Sequence, residues 1–67
     1  MSNLATTDIV IVGGSAFTVA GTLEIEDVKR NYGSEIPGLA SMQATVVDNE
    51  ETNARTITFT AATGSKG

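Results

Sequence analysis

The stretch that decides the fold is Arg55-Thr-Ile-Thr-Phe-Thr-Ala-Ala-Thr-Gly-Ser-Lys-Gly67. In its first half threonines alternate with Ile57 and Phe59, a period of two that places one face of a strand on a core and the other in water. The alternation stops after Ala62, where only small or polar residues follow. We therefore expect a strand that leads into a thin, extended segment with nothing large to bury.

The composition disfavours several classes of function. The chain has 67 residues, no cysteine and no histidine. A chain of this length forms one domain at most, and neither disulfides nor thiolate or imidazole metal sites can support its core. The usual thiol nucleophile and the usual general base are both missing, so we expect a protein that is not an enzyme and that binds no cofactor.

Charge and hydropathy bear on partners and location. The net charge is −4, and the basic residues are scattered along the chain: Lys29, Arg30, Arg55 and Lys66. Nucleic acid binding requires a basic face, so we expect no nucleic acid partner. The longest apolar run, Ile9 to Val12, is far too short for a membrane span, and residues 1–7 lack the features of a signal peptide. We expect a cytoplasmic protein with no membrane partner.

The first half of the chain predicts a hairpin. Residues 1–7 have the composition of a loose leader, and Asp8 opens a strand whose run Ile9 to Val12 suits either a strand covered on both faces or one with an apolar outer patch. Gly13-Gly14-Ser15 forms the turn, and Ala16 to Leu23 continues as the second strand.

A helix follows the hairpin. Between Glu24 and Tyr32, the residues Ile25, Val28 and Tyr32 form one apolar stripe, and Gly33 is a natural end. Ile36 and Leu39, in the connector of residues 34–39, should pack beneath this helix. A third strand is expected from Met42 to Val47, and its polar loop from Asp48 to Asn53 is most simply a solvated hairpin tip.

The order hairpin, helix, hairpin predicts an α+β fold. Two hairpins bury one face each when a helix lies across a four-stranded mixed sheet, with the first and last strands parallel in the middle. This is the ββαββ layout of the β-grasp, or ubiquitin-like, fold. We assign residues 8–62 to this domain and residues 63–67 to a flexible C-terminal tail.

Two passages resemble a family of small bacterial ubiquitin-like proteins, the protein C component of cassettes that also encode ParB-related and ThiF-related proteins. The first passage is Glu26-Asp-Val-Lys-Arg-Asn-Tyr32, followed by Ile36-Pro-Gly-Leu39. The second and more specific passage is Thr58-Phe-Thr-Ala-Ala-Thr-Gly-Ser-Lys-Gly67, which is similar to the closing motif of that family.

The resemblance implies a protein modifier. The carboxylate of Gly67 would be adenylated by an E1/ThiF-like enzyme that consumes ATP, and would then pass to an E2-like protein, while a JAB-type peptidase could reverse the linkage. The flexible lead recognised by these partner enzymes would comprise Thr63, Gly64, Ser65 and Lys66. Lys66 departs from the di-glycine ending of ubiquitin itself.

Two alternatives share the fold but differ in function. One is a sulfur carrier whose adenylated terminus becomes a thiocarboxylate for cofactor biosynthesis, although such carriers usually end in two glycines. The other is a binding or structural module that is never conjugated. If the protein forms chains of copies, Lys29 and Lys66 are the possible acceptor lysines.

Overall fold

The computed structural model describes residues 4–61. Its elements follow the chain as two strands, a helix, a short 3₁₀ helix and two further strands. They are β1 (Thr6–Ile11), β2 (Ala16–Ala20), α1 (Ile25–Tyr32), the 3₁₀ helix (Leu39–Ser41), β3 (Gln43–Asn49) and β4 (Ala54–Thr60).

The four strands form one mixed sheet in the order β2-β1-β4-β3. The two central strands, β1 and β4, are parallel, and each outer strand is antiparallel to its central neighbour. The long crossover through β2, α1 and β3 makes the parallel pair possible. The predicted α+β fold, with one helix and a four-stranded mixed sheet in the ββαββ order of the β-grasp, is confirmed.

The core lies on one face of the sheet. Its fully buried members come from the two central strands, the helix and the 3₁₀ helix: Ile9, Ile57, Phe59, Val28 and Leu39. An edge-to-face contact between Phe17 and Tyr32, with ring centroids 5.2 Å apart, joins β2 to the end of α1. Because α1 has only two turns, its stability depends on this packing.

The alternation in β1 resolves the question raised by its apolar run. Ile9 and Ile11 are buried, Val10 is half-buried, and Val12 is 59% exposed. The strand is therefore covered on one face and carries an apolar outer patch.

The predicted boundary between leader and domain at Asp8 is wrong. The first strand begins at Thr6, Leu4 and Thr7 are buried, and the N–H of Ala5 donates to the carbonyl of Asn53 at 2.8 Å. Parallel pairing with β4 extends β1 backwards, because Thr6 lies opposite Ala54. Residues 4–7 therefore belong to the folded body.

The second strand is shorter than predicted. It ends at Ala20 because Gly21 turns the backbone with φ +86°, a conformation that favours glycine. The third strand is longer than predicted and includes Asp48, which pairs with Arg55 across the hairpin. The expectation that Asp48 lies in a solvated tip is therefore wrong.

The helix is close to the prediction. Glu24 caps it, and the Glu24 N–H donates to the Asp27 carboxylate at 3.2 Å. Beyond the helix, Ile36 is half-buried against the core and Leu39 is fully buried, as expected for a connector that packs beneath α1.

Candidate functional site

The candidate site is the end of the sheet at which β4 finishes. Because β1 and β4 are parallel and Ile11 lies opposite Phe59, the end of β4 lies beside the turn that follows β1. The N–H of Val12 donates to the carbonyl of Phe59 at 2.9 Å, which fixes the two strands at this point. The described chain stops one residue beyond β4, at Ala61.

A tight turn forms one side of this end. Gly13 has φ +82°, the Gly14 N–H donates to the carbonyl of Ile11 at 2.8 Å, and the Ile11 N–H donates to the carbonyl of Ser15 at 2.9 Å. Glycine at position 13 permits the positive φ without strain. The turn is therefore compact, and it places only small side chains beside the end of β4.

A shallow, open cleft of about 330 Å³ lies between this turn and the connector that follows α1. Its volume is at the lower limit for small-molecule pockets. Its walls are mainly apolar, and Glu35 is the one charged residue among those that line it: Ile11, Val12, Gly13, Gly14, Ser15, Glu35, Ile36, Pro37 and Met42.

The face of the sheet away from α1 is uncovered within residues 4–61. It carries short hydroxyl and apolar side chains from the central strands and from β3: Val10, Val12, Thr45, Val47, Thr56, Thr58 and Thr60. Asp8 adds a carboxylate, which accepts a hydrogen bond from the Thr18 hydroxyl at 2.7 Å. This face carries little charge and short side chains, which suits contact with another protein.

The predicted conjugation residue Gly67 and the predicted lead Thr63, Gly64, Ser65 and Lys66 lie outside the described residues. The structure does place the other candidate acceptor, Lys29. Its ammonium donates to the carbonyl of Ala40 at 3.2 Å and ties α1 to the 3₁₀ helix. Its role as an acceptor stays a prediction.

Sequence reasoning missed a cluster around Arg55. Its guanidinium donates to both carboxylate oxygens of Asp48, at 2.7 and 3.2 Å, and to the carbonyl of Leu23 at 2.8 Å. The Glu24 carboxylate lies 3.7 Å away, and the Arg55 side chain is only 15% exposed. The cluster joins the linker before α1 to both strands of the second hairpin.

The alternation of β4 could have revealed this cluster. Arg55 shares the inward positions of Ile57 and Phe59, so its charge needs a partner near the core. The hydrogen bond from Arg55 holds the pKa of Asp48 below its ordinary value, and the same bond raises the pKa of Arg55. The contacts of the cluster hold the second hairpin and the linker before α1 together, and none of them orients a nucleophile.

Two further features of the described residues concern metal sites and membrane-spanning helices. Within residues 4–61, no group of three or more acidic side chains is arranged to hold a metal ion. In the same range, α1 and the 3₁₀ helix are too short and too polar to cross a membrane.

Comparison of the chain with protein-family models, with curated proteins and with solved structures gives no match.

Proposed function

We propose that the protein is a ubiquitin-like modifier whose Gly67 carboxylate is activated by an E1/ThiF-like enzyme and transferred, through an E2-like protein, to a target. The observation that carries the proposal is the position of β4. This central strand is anchored by Ile57 and Phe59, and it leads directly into the glycine-containing stretch that ends at Gly67. A rigid body would thus carry its reactive group on a short lead.

The chemistry begins with attack of the Gly67 carboxylate on the α-phosphorus of ATP in the partner enzyme. An acyl adenylate forms and pyrophosphate leaves. A thiol then displaces AMP to give a thioester, and a target amine displaces the thiol to give an amide. The small side chains of Gly64 and Ser65 suit entry of an extended backbone into a narrow nucleotide cleft.

The open face of the sheet supplies the docking surface in this proposal. Val10, Val12 and Thr58 lie on that face, close to the end of β4. The aliphatic side chains of this face gain free energy when they leave water, the threonine hydroxyls can form hydrogen bonds with a partner, and the low density of charge favours close protein contact. A JAB-type peptidase that reverses the linkage would recognise the same end of the molecule.

The test uses the purified chain, a ThiF-like enzyme from the same organism and ATP labelled in its α-phosphate. Label should appear on the wild-type protein and on Lys66→Gly, which gives the chain a di-glycine ending. A chain that lacks Gly67 should acquire no label, because its terminal carboxylate then belongs to Lys66, whose long side chain would not fit a narrow cleft. Equal labelling of that shortened chain would refute the role of Gly67.

A docking variant extends the test. Val10→Asp places a charge on the proposed contact surface and should raise the KM for the modifier. Ala20→Asp serves as the control, because Ala20 lies on the same face but opposite Thr6, at the end of the β1–β2 pair away from Val10. Equal KM values for both variants would exclude Val10 from the contact.

A further inference from the structure

The third strand is an unprotected edge of the sheet. Within residues 4–61 no strand pairs with its outer side. It runs seven residues in continuous register with β4, without a bulge, and contains no proline or lysine. Bulges, prolines and lysines are devices by which proteins prevent an edge strand from pairing with another chain, and β3 has none of them. Its one charged residue, Asp48, is paired with Arg55 of the same chain.

The hydrogen bonds of the sheet define which groups this edge presents. The bond from the Val12 N–H to the Phe59 carbonyl shows that Phe59 directs its polar backbone groups toward β1. Its neighbours in β4, Thr58 and Thr60, must then direct theirs toward β3, because successive residues of a strand point their backbone groups to opposite sides.

The opposing residues of β3 follow the same rule. Thr45 pairs with Thr58 and Gln43 with Thr60, so these residues bond inward. Ala44, Val46 and Asp48 alternate with them and direct their N–H and C=O groups outward. The edge therefore offers unpaired backbone groups spaced symmetrically about Val46.

Two hydrophobic side chains along this edge are also exposed to solvent. Val46 is 37% exposed and Val47 is 58% exposed, on opposite faces of the sheet. Apart from Val12, they are the large hydrophobic residues most exposed in the described part of the chain. A strand added beside β3 would cover part of both side chains and remove apolar area from water.

We propose that the occupant of this edge is a second copy of the chain, paired antiparallel through β3 about a twofold axis at Val46. In that register Val46 faces Val46 of the second copy, and Ala44 faces Asp48. Both are pairs of outward-directed residues, so each exchanges N–H and C=O groups reciprocally. The sheets of the two copies join into one.

The charges of the strand are compatible with this pairing. Asp48 is the one charged residue of β3, and it would lie opposite Ala44 rather than opposite another carboxylate. Its charge is already compensated by Arg55 of the same chain at 2.7 Å. The net charge of −4 on each chain opposes association at long range, so added salt should strengthen the dimer.

The dimer should be weak. One strand pair buries less than the roughly 1,200 Å² at which stable interfaces begin. The charge pattern favours a second copy, because in the register about Val46 each Asp48 lies opposite Ala44 and no two carboxylates are opposed.

Sedimentation equilibrium between about 10 µM and about 1 mM tests the proposal, a range suited to weak association. The apparent mass of the wild-type protein should rise from 6.9 kDa toward twice that value, and more steeply in added salt. Val46→Pro should remain a monomer, because proline removes the central outward N–H while the bonds to β4 stay intact. Val46→Thr, which keeps that N–H and a β-branched side chain, should still dimerise.

Circular dichroism reports whether each variant is folded. Val46→Lys, which places two like charges face to face at the twofold axis, gives a second measurement if the proline variant does not fold. A wild-type mass of one chain throughout the range would overturn the proposal and leave the edge to a different strand. Undiminished dimerisation of Val46→Pro and Val46→Lys would place the interface elsewhere and overturn it as well.

Discussion

At the scale of single residues, Thr7 shows how a buried hydroxyl organises the chain around it. Its side chain is fully buried, donates to the carbonyl of Gly21 at 2.7 Å and accepts from the N–H of Leu23 at 3.0 Å. The segment between β2 and α1 has no strand partner of its own, so this hydroxyl satisfies backbone groups that would otherwise be unpaired.

Replacing Thr7 with valine should lower the free energy of unfolding by about 1 to 3 kcal/mol, because the shape is kept while both backbone partners lose their bond. Thr56→Val, on the open face, is the matched control and should change the free energy of unfolding by about 0.5 kcal/mol or less. Urea unfolding measures both. A Thr7→Val protein as stable as the control would show that the hydroxyl contributes nothing.

The Arg55 cluster makes the free energy of unfolding depend on pH in the acidic range. The lowered pKa of Asp48 means that the folded protein binds fewer protons than the unfolded chain in the region just below the ordinary value of 3.8. The resulting stabilisation is fully present above that value and is lost as the pH falls through the lower pKa of the folded state.

Asp48→Asn should therefore flatten the acid limb of the stability profile. Measured by chemical unfolding from about pH 6 downward, the wild-type protein should lose more of its free energy of unfolding than the variant does. Arg55→Gln should flatten the profile similarly, because it removes the hydrogen-bond donor. Parallel profiles for all three proteins would contradict the assigned cause.

At the scale of elements, the sequence pattern predicts what each segment is but not where it ends. The stripe of Ile25, Val28 and Tyr32 reports burial on one face, and the alternation of Ile57 and Phe59 does the same for β4. Ends depend on tertiary pairing, which a local pattern does not contain. Residues 4–7 are ordered by β4 and by the segment after β2, both far away in sequence.

The end of α1 shows what the pattern leaves out. The helix ends before Gly33, as predicted, but the φ of Gly33 is −63°, so its backbone does not take the left-handed conformation in which glycine often ends a helix. The glycine is required for a different reason: a β-carbon at this position would collide with the carbonyl oxygen of Lys29. Local steric crowding, and not backbone handedness, selects glycine here.

Gly33→Ala should consequently lower the free energy of unfolding by about 1 to 3 kcal/mol, the usual cost of overpacking. Helix propensity alone predicts the opposite sign. Asn31→Ala, an exposed position in the same helix, is the control and should stabilise slightly. Thermal unfolding compares the two. A stabilised Gly33→Ala protein would refute the steric explanation.

At the scale of the whole molecule, the order of elements was sufficient to predict the topology. Two hairpins around one helix can bury both apolar faces with β1 and β4 parallel at the centre, and this is the arrangement found. The central place of β1 explains only the buried half of its apolar run, because Ile9 and Ile11 lie in the core while Val10 and Val12 lie on the open face. The site was predicted only in part, because the cleft, the Arg55 cluster and the exposed edge of β3 arise from segments distant in sequence.

The proposed chemistry concerns Gly67, which follows β4 in the chain. The resemblance of the closing motif supplies the hypothesis of conjugation, and the position of β4 at the centre of a sheet with one open face supports it. The sulfur carrier and the unconjugated module differ from it in the covalent state of the terminal carboxylate, so that state distinguishes all three.

The most direct measurement is the mass of the C-terminal peptide of an N-terminally tagged chain, recovered under denaturing conditions from its own cells. The account predicts a fraction in which the Gly67 carboxylate forms an amide with a lysine of another protein, and no such fraction for a chain lacking Gly67. A free carboxylate in every recovered molecule, or sulfur in place of one carboxylate oxygen without any amide, would contradict it.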